Sequence, residues 1–320
     1  MSASWVAGTV RARALARRRL GAAGAHDLAL CPDLPAALSV LASTPYGHDV
    51  RVGDTLGEAQ HRVGATLLWH LRVLAGWLPS AGVHALRLLA RGFEIANIDE
   101  RLYGIGGEME GPTYSLGALD TAWSRLAGAS SPKGIRLALS TSRWKDIGGE
   151  TAWGIEVGIR LAWADRVAAL IPEAAGWARA ASALLVVRES VLGTRDFPKP
   201  LAYRASRILG SEFVSATARS TTVSGLSSRL PRDTQWVLRD VDEPTDLWRA
   251  ESRWWQRIES DGFELMRRSE FSRPPVVGVL AVLAADAWRV RAALESAARG
   301  GGAGVVREYE TVTEAFDGVA

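Results

Sequence analysis

The sequence predicts an all-α fold, and two observations carry that prediction. Apolar residues recur at steps of three or four along most of the 320 residues, which is the period of an amphipathic helix. Alternating β-branched runs bounded by turn residues, which mark strands, are scarce. The composition is 48% hydrophobic and 23% charged, as in ordinary globular proteins. Because the chain is longer than one hydrophobic core usually supports, we expect two or three domains.

The first hundred residues set the pattern of elements. A helix is expected over residues 4–20, and a short segment at Leu38–Tyr46 then ends in an aromatic residue and a polar loop. Two long amphipathic stretches follow, at 54–78 and 80–103, and Pro79 separates them. Long helices joined by so short a turn predict an antiparallel hairpin.

The same order of elements returns twice more. The later hairpins are expected at 150–171 with 173–192, around Pro172, and at 245–272 with 276–298, around Pro274 and Pro275. The matching short segments are Ile135–Trp144 and Leu226–Trp236, and the matching first helices are 114–127 and 201–218. The first hairpin also begins with Thr55 and Glu58, spaced as in a capping box.

Two sets of markers agree on the length of this repeat. The aromatics Tyr46, Trp144 and Trp236 lie 98 and 92 residues apart, and the prolines at 79, 172 and 274 lie 93 and 102 apart. A period near 95 residues is too long for a solenoid, whose repeats run about 20–50 residues. We therefore predict three similar helical domains of about four helices each. Their bounds are 1–108, 109–198 and 199–302, followed by a mobile tail at 303–320.

No motif of a catalytic centre is present in the sequence. The glycine-rich run Gly104–Gly111 has Met109 where a dinucleotide fingerprint needs its third glycine, and no predicted strand precedes it. The five histidines include no pair at the spacing of a helical zinc site. We predict no catalytic residues, no cofactor and no metal. Paired carboxylates leave no mark in a sequence, so a helical enzyme stays an open alternative.

Charge and hydropathy narrow the remaining classes. The net charge of +3 does not call for a nucleic-acid partner. The longest apolar run, Val276–Ala285, stops at Asp286 and is shorter than a membrane span of about 20 residues. The single cysteine, Cys31, fits a reducing compartment. A basic cluster on the first helix, including Arg11 and Arg13, is either a solvated face or a contact surface for an acidic partner or anionic lipid.

Asn97 is a mediocre helix former placed inside a predicted helix. The structural interpretation is a hydrogen bond to the backbone of a neighbouring segment, and the alternative is a direct contact with a partner.

Several of these residues resemble one known family. Trp5-Val-Ala-Gly-Thr-Val-Arg11-Ala-Arg13 is similar to the opening of the V-type (V/A-type) ATPase family of central-stalk socket proteins. The segment Leu41-Ala-Ser-Thr-Pro-Tyr46 resembles a second motif of that family. Phe93-Glu94-x-x-Asn97-Ile98 resembles its aromatic–acid pair followed by Asn-Ile. The motifs cover about the first hundred residues.

The resemblance implies a funnel with pseudo-threefold symmetry on the cytoplasmic face of a proton-conducting membrane ring. Such a protein is peripheral, has no active site, and receives the rotor shaft in its socket. The implied interface residues are Trp5, Arg11, Arg13, Tyr46, Phe93, Glu94 and Asn97. The implied partners are the shaft subunits and the ring, with no nucleic acid and only indirect contact with the membrane. The alternative from another class is an unrelated helical scaffold that binds a partner in a central groove.

Overall fold

The computed structural model describes residues 3–107 and 111–301, and every regular element in that part of the chain is helical. The all-α class predicted from the periodicity is confirmed. The α-helices are α1 (Val6–Ala16), α2 (Gly21–Ala29), α3 (Leu34–Ala42), α4 (Leu56–Ala75), α5 (Ser80–Leu89), α6 (Arg91–Ile105), α7 (Trp123–Leu126), α8 (Pro132–Ser140), α9 (Ala152–Leu170), α10 (Ala175–Val187), α11 (Lys199–Leu209), α12 (Ser211–Thr217), α13 (Leu247–Arg267) and α14 (Arg273–Ala298).

The chain divides into two compact units. The first unit combines residues 1–86 with residues 255–320, and the second unit is the continuous stretch 87–254. The predicted division into three domains, at residues 108, 198 and 302, stays a prediction. The predicted tail, 303–320, lies outside the described residues.

In the first unit, helix α14 packs against α1, α2, α3 and α4. Its apolar side chains Ala287, Val290 and Leu294 lie in one core with residues of α2, α3 and α4. A Cβ atom at Gly278 of α14 would lie 2.5 Å from the carbonyl oxygen of Gly262 in α13. The backbones of α13 and α14 therefore approach so closely here that only glycine fits.

In the second unit, α9 contributes to two cores. One core gathers side chains of α6, α7 and α8 against Ile155 and Ile159 of α9. The other packs α10, α11 and α12 against Val157 and Leu161. Because these pairs alternate along one helix, α9 is apolar on two faces and buried between them.

The clearest local prediction is confirmed at the start of α4. The Thr55 hydroxyl accepts the Glu58 backbone N–H at 3.3 Å, and the Glu58 carboxylate accepts the Thr55 backbone N–H at 2.8 Å. This reciprocal pair is the capping box expected from the sequence. The helix then runs to Ala75, close to the predicted end.

Three expected long helices are interrupted or shorter. The stretch predicted as one helix at 80–103 is two, α5 and α6, with a break at Ala90 and the poor helix former Gly92 in the next turn. The helix predicted at 201–218 breaks at Gly210, whose positive φ of 89° ends α11. The helix predicted at 173–192 ends at Val187 and continues as a π-helical turn.

Other boundaries differ from the pattern in the sequence. The helix expected at 114–127 is only the short α7, and that expected at 4–20 covers Val6–Ala16. The segment Leu226–Trp236 holds two 3-10 turns instead of an α-helix. Pro274 and Pro275 do not separate two helices, because they lie in the first turn of α14, where the missing N–H costs nothing.

Among the described residues, no helix is both long enough and apolar enough to cross a membrane.

Candidate functional site

The first feature that combines predicted site residues with buried charge is the contact between Tyr46 and Asp286 in the first unit. The Tyr46 hydroxyl donates to the Asp286 carboxylate at 2.8 Å. The same carboxylate accepts the backbone N–H groups of Leu20 at 2.9 Å and Gly21 at 2.7 Å, at the start of α2. Asp286 is fully buried and Tyr46 nearly so. One acid thus ties the start of α2 and the short segment after α3 to the middle of α14.

The second unit contains a contact of the same chemistry around Glu94 of α6. The Trp144 indole N–H donates to the Glu94 carboxylate at 2.8 Å. The other carboxylate oxygen accepts the backbone N–H groups of Thr121, Ala122 and Trp123, at the start of α7. Glu94 and Trp144 are both buried. Glu94, one of the residues named by the family resemblance, therefore caps a helix and holds an aromatic ring.

These two contacts share one design, which we call the acid–aromatic contacts. In each, a buried carboxylate on a long helix accepts the N–H groups at the start of a shorter helix and the polar hydrogen of an aromatic side chain. Burial raises the pKa of both Asp286 and Glu94, although their hydrogen bonds act in the opposite direction. Burial, reinforced by the charge of Asp286, also raises the pKa of Tyr46.

Phe93 and Asn97 join the same stretch of α6 to the segment before α7. The Asn97 side chain donates to the Tyr114 carbonyl oxygen at 2.9 Å and accepts the Tyr114 backbone N–H at 2.6 Å. The Phe93 ring meets the Tyr114 ring edge-on, with centroids 5.0 Å apart. The expected bond from Asn97 to a neighbouring backbone is therefore present, and Asn97 is fully buried.

The N-terminal residues named by the resemblance lie apart from these contacts. The Trp5 ring packs beside Gly82, where an added Cβ would lie 3.0 Å from it. Arg13 donates to the carbonyl oxygen of Arg268. The Nε atom of Arg11 is buried and has no hydrogen-bond partner among the described residues. These three residues are accordingly not gathered with Tyr46 into one site.

A basic pocket of about 250 Å³, including its open mouth, adjoins Tyr46 in the first unit. Arg18, Arg19, Thr66 and His70 supply its polar lining. Burial, together with nearby positive side chains, lowers the pKa of His70 to about 4. The Nδ1 atom of His70 is buried without a partner among the described residues. The ring is therefore neutral near pH 7.

Sequence patterns did not identify the acid of the first contact or the buried arginines. Asp286 was marked only as the end of an apolar run, and that isolated acid within a buried helix was the available signal. Arg289 follows it by one turn and is 2% exposed, and Glu259 holds it through two hydrogen bonds, at 3.1 and 2.6 Å. Arg91 is 6% exposed and has no such carboxylate among the described residues.

No family model matches the chain, and no curated protein matches its sequence. Within residues 3–107 and 111–301, no three His, Cys, Asp or Glu side chains are grouped as metal ligands.

Proposed function

We propose that this protein is a non-catalytic central-stalk subunit of a rotary V-type ATPase that couples the rotor shaft to the proton-translocating membrane ring. The observation that carries the proposal is the use made of the motif residues Tyr46 and Glu94. Each takes part in a buried acid–aromatic contact that fixes a short segment on a long helix. Residues that carry the family resemblance therefore act in holding the helices in register.

The order of these contacts along the chain supports the proposed repeat. Glu94 belongs to the first predicted copy and holds Trp144 of the second copy, 50 residues further on. Asp286 belongs to the third predicted copy and holds Tyr46 of the first. This is the order that three copies would follow if each held the next and the third held the first. The third pairing lacks an acid, since the Trp236 indole N–H donates to the Asp233 carbonyl oxygen at 3.0 Å.

The chemistry of the contacts suits a part that carries mechanical load. A coupling protein of this kind must keep its helices at fixed angles under torque, and directional hydrogen bonds from one carboxylate to a ring and to a helix start fix position as well as distance. In the proposed assembly the protein lies on the cytoplasmic face of the cell membrane. It is peripheral there and touches the membrane only through the ring.

Co-purification tests the proposal directly. The tagged chain is expressed in its source cells, membranes are isolated and solubilised in mild detergent, and captured proteins are identified by mass spectrometry. We expect both the shaft subunits and the ring protein of a V-type ATPase in amounts comparable to the bait. Capture of neither refutes the proposal, and stoichiometric capture of an unrelated protein would favour the helical scaffold.

The matched variants are Glu94→Ala and Glu100→Ala. Glu94 forms the acid–aromatic contact, whereas Glu100, on the same helix, accepts the Gly111 N–H and holds no aromatic ring among the described residues. We expect Glu94→Ala to lose most of the captured partners and Glu100→Ala to keep them. Equal capture by both variants would separate the acid–aromatic contact from assembly.

A further inference from the structure

The second unit contains a buried arginine that has no acidic partner among the described residues. Arg91, the first residue of α6, is 6% exposed. Its guanidinium carbon lies 4.5 Å from the centroid of the Trp144 ring. Its Nε and Nη1 atoms are buried and no described residue accepts a hydrogen bond from them. A buried, unpaired guanidinium is costly, and proteins ordinarily place a carboxylate beside it.

The acid on the next turn of α6 is already occupied. Glu94 raises the pKa of Arg91 by its charge. Both of its carboxylate oxygens, however, accept hydrogen bonds from the Trp144 indole and from the backbone at the start of α7. Burial is the largest influence on Arg91 and lowers its pKa to about 10, so that the side chain is still charged near pH 7.

Further positive charge surrounds this side chain. Arg87, Arg143 and Arg166 all lower the pKa of Arg91 by their charge. Arg87 donates to the Ala118 carbonyl oxygen at 3.0 Å, and Arg166 donates to the carbonyl oxygen of Arg143. Both acceptors are neutral. We call Arg87, Arg91, Arg143 and Arg166 the arginine cluster, and one of its members, Arg143, is exposed to solvent.

The first unit shows what a buried arginine takes in this fold. Arg289, on the helix that carries Asp286, is held by both oxygens of Glu259. Arg91, on the helix that carries Glu94, has the equivalent burial but lacks that acid among the described residues. The missing group is thus a carboxylate, whose planar pair of oxygens matches a guanidinium.

We propose that the arginine cluster binds a carboxylate side chain from an acidic segment of a partner protein. Four guanidinium groups around one saturated carboxylate give a strongly positive site, and the stacked Trp144 ring holds the Arg91 plane in a fixed orientation. The inference stands apart from the proposed function, because it needs only an acidic partner and is tested on the isolated chain.

Isothermal titration calorimetry of the full chain with a short, end-blocked oligoglutamate peptide tests the proposal. An oligoglutamine peptide of equal length is the negative probe. We expect binding of oligoglutamate alone, and weaker binding when salt rises to about 0.15 M. Arg91→Met removes the charge at similar volume, and we expect it to weaken binding by at least about tenfold. Arg143→Gln changes an exposed side chain, leaves folding intact, and is expected to weaken binding about two- to fivefold.

The matched control is Arg195→Gln in the same unit. Arg195 also lies over a tryptophan, at 5.4 Å from the Trp153 ring centroid, but Glu189 pairs with it at 3.5 Å. Its substitution makes the same change in net charge and should alter the affinity by less than about twofold.

Several outcomes overturn the proposal. They are no binding of oligoglutamate, equal weakening by Arg195→Gln and Arg143→Gln, and binding of inorganic phosphate or of phosphatidylserine vesicles with oligoglutamate unable to compete. A site filled by the chain's own acids is another such outcome. It would appear as oligoglutamate binding only after Glu108 and Glu110 are changed to glutamine or residues 302–320 are removed.

Discussion

Replacing Asp286 by alanine is the sharpest test of how the first unit is held together. The substitution removes the acceptor of three hydrogen bonds at once, from Leu20, Gly21 and Tyr46. The matched control is Asp27→Ala, because Asp27 is exposed on α2, the helix that Asp286 caps. Both variants lose one negative charge, so the difference between them reports the contact.

The expected magnitude follows from the groups left without a partner. Losing the acceptor at the start of α2 costs about 1 kcal/mol, as for other N-caps. A buried Tyr46 hydroxyl without its acceptor costs about 1–3 kcal/mol. Part of this is offset, because burial raises the pKa of Asp286 and alanine removes a charge that is unfavourable to bury. We expect a net loss of about 2–3 kcal/mol for Asp286→Ala, and about 1 kcal/mol for Tyr46→Phe.

Urea unfolding followed by circular dichroism gives the free energy, and amide hydrogen exchange locates it. In Asp286→Ala the amides of Leu20 and Gly21 should exchange faster than in Asp27→Ala, whose stability should stay within about 0.5 kcal/mol of the parent. If Asp286→Ala matches Asp27→Ala in stability and leaves both amides protected, the contact does not hold α2.

Three further perturbations have defined outcomes. His70 has a pKa lowered from 6.5 to about 4, so the parent should lose stability as pH falls through that window; His70→Gln should remove about 2 kcal/mol of this loss after allowance for solvent screening, measured as unfolding free energy against pH. Glu259→Gln leaves Arg289 buried without its carboxylate and should cost about 3 kcal/mol by urea unfolding, whereas an unchanged midpoint would contradict the pairing. Gly278→Ala places a Cβ against the Gly262 carbonyl oxygen and should lower the melting temperature, with a loss of about 1–3 kcal/mol; a melting temperature at or above that of the parent would show that the helices can separate.

Local signals in the sequence predicted the elements that depend on local physics. The start of α4 was predictable because Thr55 and Glu58 satisfy each other's backbone N–H groups within one turn. The break at Ala90 was not, because the apolar stripe continues across it and hides the change of helix axis. The segment Leu226–Trp236 kept the spacing of its counterparts but forms 3-10 turns, so spacing alone did not fix its conformation.

Half of each acid–aromatic contact was visible in the sequence. Tyr46 and Glu94 stood out through motifs, and Trp144 through its place in the repeat. The pairing of Tyr46 with Asp286 spans 240 residues, and no periodicity within a helix encodes a partner at that distance. The unpaired Arg91 was equally hidden, because a sequence shows an arginine but not whether the fold places an acid beside it.

The buried acids are better explained by geometry than by stability. Burial raises the pKa of both Asp286 and Glu94, so each carboxylate is less favourable inside the protein than in water despite its hydrogen bonds. Apolar side chains of similar size would stabilise these positions at least as well. What apolar packing cannot supply is direction: one carboxylate sets the start of a helix and the plane of an aromatic ring relative to the long helix that carries it. That fixed relation is what a torque-bearing protein requires, and this links the motif residues to the proposed function.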